Sequence, residues 1–252
     1  MRLTGDRRVG ILVSALLPAM IYTALLLGIT WFAEMLTGSA ETSSFCAAGI
    51  SSLSALLCLP WLWREYKREC GGMDCFVRRK QETEDGGERS CSGLKVCVGN
   101  RKAGAVKAGA AKAAAGWPLA GAAAAPLLGA AYSGLSVLWM NAAGIYERFS
   151  DQTQEQLRSA PLWLAVAGLC LIVPAAEELI YRGLMYGRLK KILSAPAAAL
   201  LMALLFAAGH GNVIQLLYAF PAALAMAWLT QKSGLAAAVL FHVGANLAAV
   251  LL

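Results

Sequence analysis

The chain of 252 residues is poor in charge: Asp, Glu, Lys and Arg make up 15% of it against 58% hydrophobic residues, and its mean hydropathy is +0.58. An ordinary soluble domain carries about a quarter of its residues as charges, so the balance points instead to a polytopic membrane domain. Histidine is scarcer still, with two residues, and no G-x-S-x-G or H-E-x-x-H sequence is present. A serine-hydrolase elbow and a helical zinc-protease signature are therefore excluded. The net charge of +7 comes without a groove-like pattern of interleaved aromatic and basic residues, so nucleic acid is not an expected partner. No small-x-small cleavage site closes the first apolar run, which is also too long for a signal peptide. Nor do the two halves show an inverted repeat of broken spans, which argues against a transporter that relays protons through buried carboxylates.

What the sequence does have is apolar runs. They cover residues 9–33, 45–63, 117–140, 162–181, 196–209, 213–230 and 235–252, and about 20 apolar residues cross the hydrocarbon core. The fold class expected is all-α, a polytopic transmembrane helix bundle of about seven spans with a converging polar site in the C-terminal four. Starting from a cytoplasmic N-terminus, alternation leaves only Arg148 and Arg158 outside, while Arg2, Arg7, Arg8, the 64–112 segment, Arg188, Lys190, Lys191 and Lys232 fall inside. Short cytoplasmic loops are enriched in Lys and Arg. An integral, multi-pass protein with a cytoplasmic N-terminus is expected, in the plasma membrane of a prokaryote and with the lipid bilayer as its surroundings.

Three regions follow. Residues 1–63 form an N-terminal transmembrane hairpin, 64–116 a cytoplasmic polar and flexible insert, and 117–252 the core that carries the motifs. The insert holds 12 of the 22 basic and 7 of the 15 acidic residues; its first half has the composition of a solvated linker, and residues 102–115 are alanine-rich enough for a helix. Cys70, Cys75, Cys91 and Cys97 lie in it with gaps that do not make C-x2-C pairs, and a reducing cytoplasm keeps them as thiols. Cys46, Cys58 and Cys170 sit in apolar runs, where cysteine packs as a small hydrophobe.

Charge inside a span is costly and marks a functional site. Glu177, Glu178 and Arg182 interrupt the fourth run, and both histidines, His210 and His242, lie in or beside later ones. Residues four apart share a helix face, so Glu178 lies under Arg182, Glu177 under Tyr181 and His242 under Asn246. One carboxylate can then pair with Arg182 while its neighbour, turned about 100° round the helix, points elsewhere. Pro174, three residues before Glu177, removes a backbone donor and is expected to kink the span. A carboxylate beside a second one suits a general base. His210 can share its water, and His242 with Asn246 offers the N–H donors an oxyanion needs. Together these residues are an inventory for peptide hydrolysis without a covalent intermediate.

The ordered set Glu177-Glu178-x-x-x-Arg182, Phe206-x-x-x-His210 and His242-x-x-x-Asn246 resembles the three motifs of the CAAX-protease and bacteriocin-processing family, the Abi-type intramembrane endopeptidases that include the type II CAAX prenyl proteases (Ras-converting enzyme). The resemblance covers about residues 160–252, with Arg182-Gly183 and Ser233-Gly234-Leu235 also fitting. It implies an all-helical membrane endopeptidase in which Glu177 and His210 activate water, His242 and Asn246 stabilise the oxyanion, and Glu178 and Arg182 shape the site. The implied substrate is a CAAX-type or other membrane-associated peptide or protein, with no cofactor.

Two other readings use the same residues. Glu177, His210 and His242 could ligate a catalytic zinc ion, although the His242/Asn246 spacing is better explained by paired oxyanion donors. A non-catalytic protein of the same fold, for bacteriocin self-immunity or scaffolding, would keep the helices and lose the chemistry. One difficulty is geometrical: His210 lies 14 residues after Pro196, about 21 Å along a helix, which carries it away from the level of Glu177. A strongly tilted fifth span, a span that starts deeper than Pro196, or a break within the bilayer at Gly209-His210-Gly211-Asn212 that lines a cavity would each resolve it, and the two glycines beside the histidine favour the break.

Overall fold

The structure, a computed structural model, describes residues 5–37, 44–70, 108–149 and 160–251, with the backbone alone for 44–46, 70 and 108–120. Cys75, Cys91, Cys97 and most of the insert lie outside these residues. The described residues are helical without strands: α1 (Gly5–Thr37), α2 (Ser44–Cys70), α3 (Ala108–Ala142), the single turn α4 (Ile145–Arg148), α5 (Leu162–Leu189), α6 (Ala195–Ala208), α7 (Val213–Ser233) and α8 (Leu235–Leu251). Each expected apolar run coincides with a helix. α2 continues through Arg64 to Cys70, and α3 begins at Ala108.

Among the described residues, four helices are long and apolar enough to cross a membrane: α1, α3 over Gly121–Ala142, α5 and α7. α6 and α8 are apolar but shorter, at 14 and 17 residues. α2 carries the apolar run 45–63 in its first part and its charged residues from Arg64 onward. Hydroxyls within these helices return to their own backbone, as Ser52 does to Ala48 O (2.7 Å), Ser54 to Ile50 O (2.8 Å) and Thr230 to Met226 O (2.8 Å). Lipid offers them no other partner.

The central element is α5. Half of its most apolar window is buried, against 11% for α1, which shows most of its apolar side chains to the outside. α5 packs on α1, α2 and α8, and α8 in turn lies against α3 and α7. The α3–α8 contact is close because glycines face it. A Cβ on Gly129 would fall on the carbonyl of Phe241, and one on Gly244 on the carbonyl of Pro126, so the two backbones meet directly, as small residues allow in membrane helices.

At one end of the bundle, Arg188 of α5 bonds to Glu69 of α2 (2.5 Å) and to the Ser14 carbonyl of α1, with Glu65 3.7 Å away. Lys191 lies 3.9 Å from Glu69. Three helices are thus tied together where their charged residues collect.

Pro174 lies between two widened stretches of α5. On either side of the α-helical segment Val173–Glu178 the helix widens into π-helical turns, Ala165–Ile172 and Leu179–Met185. Such turns bond i to i+5, insert an extra residue and often mark functional sites.

Candidate active site

The second wide stretch begins one residue after Glu178, and the two carboxylates separate accordingly. Glu178 is fully buried; its Oε1 accepts from Arg182 Nη1 at 2.8 Å and meets His242 Nδ1 at 2.9 Å. Because a carboxylate accepts, Nδ1 is the protonated nitrogen. Glu177, turned away from the arginine, is partly exposed to a cavity and places Oε2 3.7 Å from His242 Nε2. His242 therefore stands between the two carboxylates, one at each ring nitrogen.

Phe206 is the hub of the constellation. Its ring lies edge-on to Tyr181 (centroids 5.0 Å apart, 82°), to His210 (5.0 Å, 74°) and to His242 (5.9 Å, 81°). The Arg182 guanidinium carbon sits 4.4 Å from its centroid, close enough for cation–π attraction. The arginine is thereby held between the Glu178 carboxylate and an aromatic face, out of the cavity wall.

His210 occupies the turn between α6 and α7. α6 ends at Ala208, Gly211 takes a φ of 75°, and the Asn212 side chain caps α7 by accepting from Gln215 N at 2.7 Å. A positive φ favours glycine there. The break expected at Gly209-His210-Gly211-Asn212 is present, and Gly209 and His210 line the cavity. His210 Nδ1 lies 2.9 Å from Phe206 O; since a carbonyl only accepts, Nδ1 carries the hydrogen and Nε2 is the nitrogen left over. Asn246 donates from Nδ2 to Leu169 O of α5 at 2.9 Å and also lines the cavity.

The cavity has a volume of about 300 Å³ and brings Glu177, His210, His242 and Asn246 onto one wall system, without Glu178 or Arg182. It is not confined to the C-terminal helices. Tyr22 of α1, Ser51 of α2, Ser133 of α3 and Tyr146 of α4 line it too, with Gln215 and Tyr218 of α7. Polar or aromatic side chains in apolar runs were the available signal for these residues. Nothing in their spacing ties them to the motif set. Among the described residues no three His, Cys, Asp or Glu side chains are grouped to hold one metal ion.

No curated protein and no solved structure matches the chain. A family model does. Residues 159–248, which contain every site residue expected from the sequence, match the Rce1-like family of type II CAAX prenyl endopeptidases, and that segment is Rce1-like as its three motifs indicated.

Proposed function

We propose that the protein is a membrane-embedded endopeptidase that hydrolyses a peptide bond of a CAAX-type or other membrane-associated peptide, with Glu177 as general base. The observation that carries the reading is the division of the carboxylates: Glu177 faces a cavity shared with His210, His242 and Asn246, whereas Glu178 lies behind it with Arg182. Glu177, helped by the free Nε2 of His210, takes a proton from water. The resulting hydroxide attacks the scissile carbonyl, whose oxygen becomes an oxyanion. His242 donates to that oxygen from Nε2 while Nδ1–H remains on Glu178, and Asn246 adds an amide N–H. Collapse of the tetrahedral intermediate breaks the C–N bond, and the proton held by Glu177 passes to the leaving amine.

Charge supports these roles. Arg182 lies against the Glu178 carboxylate, and His242 stands between Glu178 and Glu177, so each carboxylate has a cationic or N–H partner beside it. The topology that goes with this reading has seven membrane-embedded helices, α1–α3 and α5–α8, and a cytoplasmic N-terminus, which puts the charged Arg188, Glu65 and Glu69 cluster at the cytoplasmic face. Mass spectrometry of a farnesylated peptide ending in a C-a-a-X sequence, incubated with purified protein, tests the activity. Release of the last three residues by the native protein and its loss in Glu177→Gln are expected. Cleavage that survives both Glu177→Gln and His210→Ala would remove hydrolysis from this site. Activity is expected to persist after metal stripping and assay in chelator, and loss restored by zinc would reassign Glu177, His210 and His242 as ligands.

A further inference from the structure

The hydrogen bond from Asn246 to Leu169 exists because of Pro174. In the wide turns of α5, the Val173 N–H is given to the carbonyl of Gly168, five residues back. The next donor in that register, which would reach Leu169 O, belongs to residue 174, a proline with no N–H. Neither the i+4 nor the i+5 position thus supplies the Leu169 carbonyl from within α5. The donor comes instead from α8, where Asn246 Nδ2 lies 2.9 Å away.

An asparagine amide has two faces, an oxygen that accepts and an NH2 that donates. Set beside a cavity, it can present either one, and only the NH2 helps an oxyanion; the oxygen repels it. A carbonyl that can only accept decides between them, because a flipped amide would set oxygen against oxygen. One N–H is spent on Leu169, and the same group carries a second N–H in a side chain that lines the cavity.

We infer that Pro174 is a positioning residue for the reaction: by withholding a backbone donor from Leu169 it fixes the amide of Asn246 with its nitrogen, not its oxygen, toward the developing oxyanion. The inference rests on the hydrolytic reading above for its consequence, but the amide lock itself is independent of it. Pro174 touches no reacting atom in this account. It acts through a single carbonyl, and a substitution that restores an N–H at residue 174 satisfies that carbonyl from inside α5 and frees the amide to turn.

Two variants restore the N–H: Pro174→Ala, and Pro174→Val, which keeps more of the ring's bulk. With the farnesylated C-a-a-X peptide as probe, each is expected to lower kcat about tenfold with KM within about twofold, the pattern of an interaction made in the transition state alone. Asn246→Ala, which removes a donor outright, is expected to cost about a hundredfold in kcat. The double variant Pro174→Ala/Asn246→Ala is expected to be no slower than Asn246→Ala, because the proline has nothing left to orient. Unchanged kcat in both proline variants, loss in the alanine variant alone, or a further loss in the double variant would each overturn the inference.

A readout free of activity separates this inference from the hydrolytic reading. The sequence has four asparagines, so protein labelled with 15N-asparagine gives four side-chain NH2 signals, and Asn246→Ala identifies the one required. Its hydrogen exchange is expected to be slow in the native protein and at least about tenfold faster in both proline variants, as a bonded amide hydrogen is released. Equal exchange rates would sink the lock whatever the activity. Faster exchange together with cleavage that survives Glu177→Gln would leave the lock standing and dispose of the hydrolytic reading.

Discussion

One oxygen of Glu178 serves two helices: Oε1 lies 2.8 Å from Arg182 Nη1 on α5 and 2.9 Å from His242 Nδ1 on α8. Removing a partner from a buried pair leaves an uncompensated charge, which costs about 3–5 kcal/mol. Glu178→Gln is therefore expected to destabilise the detergent-solubilised protein by about that amount in chemical or thermal unfolding. It should also slow hydrolysis, since His242 loses the charged acceptor that fixes its ring. Native stability in Glu178→Gln would mean that the triad does not hold α5 to α8.

Glu177→Gln should show the opposite profile. Glu177 faces the cavity, and among the described residues its ion-pair partner is His242 Nε2 at 3.7 Å, so the neutral isostere is expected to change stability by about 0.5 kcal/mol or less. Loss of a general base costs about 10²–10⁴-fold in rate. Steady-state kinetics and unfolding of the two glutamine variants, measured side by side, distinguish the carboxylate on the water from the one that holds the frame. If Glu178→Gln instead shows the selective loss of rate, the assignments are exchanged.

Phe206 offers a test of how the arginine is held. Its ring lies under the Arg182 guanidinium at 4.4 Å, an attraction worth about 0.5–2 kcal/mol. A double-mutant cycle with Phe206→Leu and Arg182→Met is expected to give a coupling energy of at least about 0.5 kcal/mol, as contacting residues do. Additive losses would show that the ring packs beside the guanidinium without holding it.

Much of this arrangement was legible in the sequence because it follows from helical spacing. The Glu178–Arg182 pair is an i, i+4 contact, and the break at Gly209 and Gly211 is announced by the glycines themselves. The bond between His242 and Glu178 was not legible, because it spans 64 residues and depends on how α8 lies on α5. Neither was the second task of Asn246: the Leu169 carbonyl is open only because wide turns move the register around Pro174. The wide turns on either side of residues 173–178 are not legible from the proline alone. The cavity wall from Tyr22, Ser51 and Ser133 was missed for a similar reason, since those helices carry no motif and their part is set by packing alone.

The approach of α8 to α3 is where a remote change should reach the site. Gly244 lies two residues after His242 and two before Asn246, and a Cβ there would fall on the Pro126 carbonyl, a backbone atom that cannot rotate aside. Gly129, on the facing helix, meets Phe241 O in the same way. Overpacking of this kind costs about 1–3 kcal/mol when neighbours can shift. Here the shift must be taken up by α8 as a whole, which carries both His242 and Asn246 away from α5. Gly244→Ala and Gly129→Ala are each expected to lower stability by at least about 1 kcal/mol and to depress kcat well beyond what that loss of folded protein explains. Gly28→Ala, at a position with no atom near its added Cβ, is the control and should leave kcat unchanged. If the two interface variants lose stability but keep native kcat in the folded fraction, the α3–α8 contact supports the bundle without setting the position of the histidine.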